Sequence, residues 1–180
     1  IFDVQAGGSL TVRGVLLQRG YAEDAGGAIR VKSGGTLLVD DVVISSSKIS
    51  DALGVAGKGA AIYGGSGASV TVTRSQIGYN TALDDLGAGA GIYCDGCVLD
   101  VSHTTFNDNK AGYAGGALFA AASSQVTLRF NTFGFNQAPR GAALDLWSDA
   151  TLTGVLAADN SYAGFGDDVR CNAGTFTADW

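Results

Sequence analysis

The side chains that could do chemistry in this sequence are the aspartates Asp40-Asp41, Asp84-Asp85, Asp108 and Asp167-Asp168, the single His103, and the cysteines Cys94, Cys97 and Cys171. Carboxylates that cleave a glycosidic bond work as a pair about 5 to 9.5 Å apart on one face. Adjacent strand residues point to opposite faces, so Asp40 and Asp41 cannot line one cleft unless a turn intervenes. The acidic pairs offer oxygen ligands for calcium, yet no EF-hand loop or GGxGxDxUx nonapeptide is present, and solvated charge is the expected reading. His103 has no second histidine, HExxH or Cys-His metal spacing beside it. The serines, Ser45-Ser46-Ser47 included, lack a G-x-S-x-G elbow. Cys94 and Cys97 form a CxxC whose spacing allows a local disulfide across a turn. A thioredoxin-like role would need a helix N-terminus to lower the thiol pKa, and nothing helical follows. No catalytic residue, metal or cofactor is expected.

The elements that position these residues come from an internal repeat. A small-small-small-aliphatic motif recurs as Gly26-Gly27-Ala28-Ile29, Gly59-Ala60-Ala61-Ile62, Gly89-Ala90-Gly91-Ile92, Gly115-Gly116-Ala117-Leu118 and Gly141-Ala142-Ala143-Leu144, with a degenerate copy at Gly166-Asp167-Asp168-Val169. The spacings are 33, 30, 26, 26 and 25 residues. Each copy continues into an alternating aliphatic pair and a further apolar residue, as in Leu37, Val39 and Ile44, or Val126, Leu128 and Phe133. Period-two alternation marks strands with these positions inward. Three residues further on stand Asn80, Asn109, Asn136 and Asn160, a column whose amides suit a tight corner that leaves backbone groups orphaned. Strands of three to five residues cannot bury an apolar face alone, so the repeats must stack. A helical reading fails, because no copy sustains an i, i+3, i+4, i+7 stripe. The expectation is an all-β parallel β-helix of about six to seven coils, a single segment over 1–180 expected to form part of a larger repeat protein.

Stacking in register turns sequence columns into surfaces. The outward column after the core aliphatic reads Arg30, Tyr63, Tyr93, Phe119, Asp145, Arg170. Its three consecutive aromatics are expected to form an exposed ladder, the first candidate surface for a protein or glycan; cross-rung stabilisation is the alternative. Two insertions leave one corner in adjacent copies: Ser47 to Gly59 takes 12 residues and Asn80 to Gly89 takes nine. Residues 48–58 and 81–88, with Asp84 and Asp85, are the second candidate surface. Neither the column Leu38, Thr71, Asp100, Thr127, Thr151 nor the column Asp40, Thr73, Ser102, Arg129, Thr153 brings two acids together, so no carboxylate dyad forms. Cys171 falls three rungs from Cys94, roughly 14 Å away at 4.8 Å per rung, too far to bridge.

Gly-Gly-Ala-Ile at 26–29, Gly-Gly-Ala-Leu at 115–118, Phe106-Asn107-Asp108-Asn109 and Phe133-Gly134-Phe135-Asn136 resemble the GGA[ILV] and FxxN repeats of the chlamydial polymorphic outer membrane proteins. The resemblance implies a right-handed β-helical autotransporter passenger, a cell-surface or extracellular location and an adhesive role. The copies at 44–47, 77–80 and 157–160 replace the Phe by Ile or Ala, and these 180 residues contain no β-barrel translocator.

Composition narrows the partners. With 28 Gly, one Pro, no Met, 16% charged residues and a formal charge of -6, the chain has no basic footprint for nucleic acid or anionic lipid. No run approaches the about 18 apolar residues of a membrane span. The expectation is a non-catalytic surface or extracellular repeat protein serving adhesion or structure, with end-to-end self-association through strand edges as a further mode. A polysaccharide lyase or hydrolase and a filament component are the alternatives.

Overall fold

The computed structural model describes residues 1–50, 56–162 and 167–179. Every regular element among them is a strand, and every strand pairing is parallel. A complete coil places four short strands at successive sides, as in Ile62–Gly64, Ser69–Thr73, Gln76–Gly78 and Thr81–Ala82. Each strand pairs with its equivalents one repeat before and after. Sheet one therefore runs from Phe2–Val4 to Val169–Cys171, sheet two from Ser9–Arg13 to Phe176–Asp179, sheet three from Leu16–Gln18 to Leu156–Ala158, and sheet four from Tyr21–Ala22 to Lys110–Ala111.

The register is the one the repeat implies. Ile29, Ile62, Ile92, Leu118, Leu144 and Val169 are successive partners in sheet one, and the first five are fully buried. Val39, Val72, Val101 and Leu128 form a second column, and Ile44, Ile77, Phe106 and Phe133 a third. The Phe106 and Phe133 rings stack with centroids 4.8 Å apart and planes 9° apart, close to the strand spacing that dictates it.

Glycine at the head of the repeat is required twice over. At Gly59 φ is +62°, and a Cβ would stand 2.1 Å from the Ile62 carbonyl oxygen. The small residues that follow admit the next coil: a Cβ on Gly27 would lie 2.5 Å from the Ala60 carbonyl oxygen. Two further corner columns are left-handed although few of their members are glycine. One holds Asp41, Arg74, His103 and Phe130; the other holds Arg19, Ser46, Tyr79, Asp108, Phe135 and Asp159, all with φ between 47° and 59°. The sequence pattern does not reveal these corners, because glycine is the only residue whose presence advertises them.

The asparagine column is a continuous buried ladder. Nδ2 of Asn80, Asn109 and Asn136 donates to Oδ1 of the next asparagine at 2.9, 3.0 and 2.8 Å. The same nitrogens reach back to the Ile44, Ile77 and Phe106 carbonyls of the preceding coil. Ser47 joins at one end through its backbone amide on Asn80 Oδ1, and Asp168 Oδ1 closes the other by accepting the Asn160 amide.

Candidate functional site

On the outward side of sheet one the pairings Arg30 to Tyr63, Tyr63 to Tyr93, Tyr93 to Phe119, Phe119 to Asp145 and Asp145 to Arg170 build the column read from the sequence. Its exposure differs from the expectation. Tyr63 to Tyr93 and Tyr93 to Phe119 are stacked at 6.0 and 4.9 Å between centroids, and Tyr93 is only 9% exposed. Rungs this close make each ring cover its neighbour's face, so the ladder offers edges where a stacking ligand needs faces.

Charged residues from the flanking corners then close over the ladder. Lys58 Nζ lies 3.3 Å from Asp95 Oδ2 and 5.1 Å from the centre of the Tyr93 ring. Asp95 Oδ2 also accepts the Tyr63 hydroxyl at 2.9 Å. Burial and the hydrogen bond to Asp95 raise the Tyr63 phenol to about 12; burial and the Asp95 charge raise Tyr93 as well. Arg30 grips Asp24 through both guanidinium nitrogens at 3.1 and 2.9 Å.

Asp145, an outward position by its register, is 1% exposed. Burial pushes its carboxyl up, while the Arg170 charge and hydrogen bonds from Asn172 and Trp147 pull the other way.

The insertions show a similar reversal at one residue. Asp84, expected as solvated charge on a binding loop, is 8% exposed. Its Oδ2 accepts the Gly57 amide and its Oδ1 the Leu86 amide, both at 3.0 Å, so it ties the two insertions together. A folded loop leaves backbone amides that need acceptors, and the carboxylate supplies them. Asp85 remains exposed. Part of the first insertion, residues 51–55, and Gly166 of the degenerate repeat lie outside the described residues.

Asp40, Asp100 and Asp108 are each engaged by groups other than a second carboxylate. Asp40 sits between Arg13 at 3.4 Å and Arg74 at 2.5 Å, Asp100 takes Arg129 Nη2 at 2.7 Å on both oxygens, and Asp108 accepts the Asn107 amide at 2.9 Å. Asp41 occupies a left-handed corner, the turn that separates it from Asp40. His103 is exposed at another such corner, its ring 5.3 Å from that of Phe130. Cys94 and Cys97 form a disulfide with Cα atoms 5.3 Å apart, and Cys171 is free and exposed. Among the described residues no three His, Cys, Asp or Glu side chains group in a way that could hold a metal ion, and no helix is long and apolar enough to cross a membrane. The exposure of three aromatics at the corners flanking sheet three, Tyr79, Phe130 and Phe135, escapes the sequence reading. Nothing in a row of residues separates an outward Phe at a corner from the inward Phe133 beside it except its place relative to the asparagine.

Short parallel strands stacked coil on coil, with core columns and a corner asparagine ladder, define a parallel β-solenoid. The chain belongs to the right-handed β-helix family, whose model matches residues 4–174. No curated protein and no solved structure matches it.

Proposed function

We propose that this β-helix is a non-catalytic segment of a cell-surface or extracellular protein, serving adhesion or surface structure. The observation that carries the reading is the state of its carboxylates. Asp40, Asp95 and Asp100 are each held by a guanidinium or ammonium group, and Asp84 by backbone amides. A glycosidase needs two carboxyl groups sharing one cleft and free to exchange protons. The surface location draws on the resemblance of the GGA[ILV] and FxxN motifs to autotransporter passengers. An enzyme acting on polysaccharide is the second reading, and Asp145 is the residue it would have to use, since burial raises that carboxyl as a general acid requires. The groups acting on Asp145, however, are arginines and hydrogen-bond donors, not a second carboxylate.

Incubating the chain with neutral and acidic polysaccharides and assaying new reducing ends and unsaturated products tests this directly. The expected result is no product, alongside retention of the labelled chain on cells or extracellular matrix. Product that disappears in Asp145→Asn would replace the adhesive reading by the enzymatic one.

A further inference from the structure

Tyr79, Phe130 and Phe135 are 58%, 56% and 59% exposed, and each has a positive φ, of 59°, 54° and 59°. Both properties are unfavourable: a large ring is left in water, and a bulky residue is held in the left-handed region. In other coils the same two corner columns hold Gly14, Asp41, Arg74, His103 and Gly154, or Arg19, Ser46, Asp108 and Asp159; glycine and aspartate tolerate the conformation best, and the arginines keep a charged head in water where the three rings expose apolar surface. Three aromatics at such corners around one short sheet are a concentration that folding does not require.

The corners stand as two rims along sheet three. Phe130 forms one with His103, its ring also lying over Gly154, where a Cβ would come within 2.6 Å of it. Tyr79 and Phe135 belong to the other. Four residues lie between the rims within a coil, a step of at most about 16 Å of chain, and the three coils involved span about 10 Å along the axis.

The floor between them is formed by the outward positions of three strands. Gln76, Thr105, Asn107 and Thr132 supply amides and hydroxyls, Gly134 leaves room beside them, and the Asn107 side chain covers the buried Gly78. Gln76 Nε2 donates to Asn107 Oδ1 at 2.9 Å, fixing the amides in a row. At Gly134 an added Cβ would meet nothing nearer than 3.8 Å. None of these floor residues is charged; of the charged rim residues, Arg74 is paired with Asp40, and Asp108, between Tyr79 and Phe135, accepts the Asn107 side-chain amide.

We propose that this trough is a binding site for an uncharged oligosaccharide lying along the coil axis. Exposed ring faces stack on the C–H faces of sugars, and planar amides and hydroxyls match their hydroxyl groups. The absence of a free cation in the floor disfavours polyuronates and sulfated glycans. An apolar peptide is disfavoured because it would take the Thr105 and Thr132 hydroxyls and the remaining donors and acceptors of the amides out of water without pairing them. The site is separate from the sheet-one ladder, whose rings are spent on each other.

Electrophoresis of the 180-residue chain through gels containing β-glucan, mannan, xylan or polygalacturonate tests the proposal. At least one neutral polymer is expected to retard the chain more than polygalacturonate does. Two variants should weaken that retardation about tenfold or more: Gly134→Thr, which fills the floor, and Phe130→Asn with Phe135→Asn, which removes the rings using a residue suited to left-handed corners. Their melting temperatures should stay unchanged or rise, since each replaces a conformationally costly residue. Absence of retardation by every neutral polymer, stronger retardation by polygalacturonate, or unchanged retardation of both variants would overturn it. Adhesion to a protein would survive that outcome, so the failure of this site is distinguishable from failure of the broader reading.

Discussion

Tyr63 donates its hydroxyl to Asp95 Oδ2 at 2.9 Å while one ring face packs toward Tyr93. An ionised phenol there would meet the Asp95 charge without the water that normally solvates it, and the group is held neutral up to about 12, against about 10 for a free tyrosine. Because the folded value lies above the unfolded one, the folded state retains the proton longer. Its contribution to stability is complete below about pH 10 and is lost as pH rises from there through about 12. Tyrosinate absorbance should therefore show a late-titrating fraction among the six tyrosines. Tyr63→Phe should shrink that fraction and flatten the alkaline fall in stability. A single transition near pH 10 in the native protein would remove the basis for this account. The same geometry explains why the ladder is weaker as a ligand platform than its sequence suggests: its polar tip is satisfied internally and its faces are covered.

The asparagine ladder is the element in which one side chain controls the most backbone. Asn109 donates to the Ile77 carbonyl at 2.9 Å and to Asn136 Oδ1 at 3.0 Å, and its Oδ1 accepts from the backbone and side-chain nitrogens of Asn80. All of these groups lie in the dry interior of the corner. Replacing Asn109 by Ala strands donors and acceptors on both neighbouring coils, each costing about 1–3 kcal/mol when left unmade. We expect Asn109→Ala to lower the unfolding free energy by about 2–4 kcal/mol, measured by chemical denaturation. A loss below about 0.5 kcal/mol would mean that water replaces the amide and that the ladder is dispensable. The ladder also explains the sixth coil, where the apolar motif is weakest. Asn160 still reaches the Phe133 carbonyl at 2.9 Å and holds the chain in register although Ala157 has taken the place of a large core residue.

At the scale of the whole molecule each coil touches only its neighbours, so stability is distributed along one dimension. The central coils have fully buried inward residues on sheets one to three. Sheet two ends in Phe176–Asp179, which is half-buried only at Phe176, and begins with Ser9–Arg13, where Leu10 is half-buried. Hydrogen exchange should follow this gradient: amides of 62–134 should exchange only by global opening, and those of 1–22 and 167–179 faster, by opening of single coils. Uniform protection from end to end would show that the terminal coils are held by contacts beyond those present in this chain, including association of chain with chain through the strand edges.

The sequence by itself determined the repeat, the strand period, the core columns and the position of the asparagines, because inward stacking imposes one residue type on every copy and so writes itself into the spacing. It also placed Tyr63, Tyr93 and Phe119 in consecutive rungs. It did not determine what those positions present to a ligand. Whether Asp84 is solvated or receives the Gly57 and Leu86 amides, whether Asp145 faces water or lies beneath Asn172 and Arg170, and whether a corner Phe points outward are set by contacts between coils and insertions. Side chains on the outside of a solenoid answer to no stacking rule strong enough to constrain their type. Only the tertiary structure could show that the aromatic ladder is largely closed over and that exposed aromatics stand at the corners flanking sheet three.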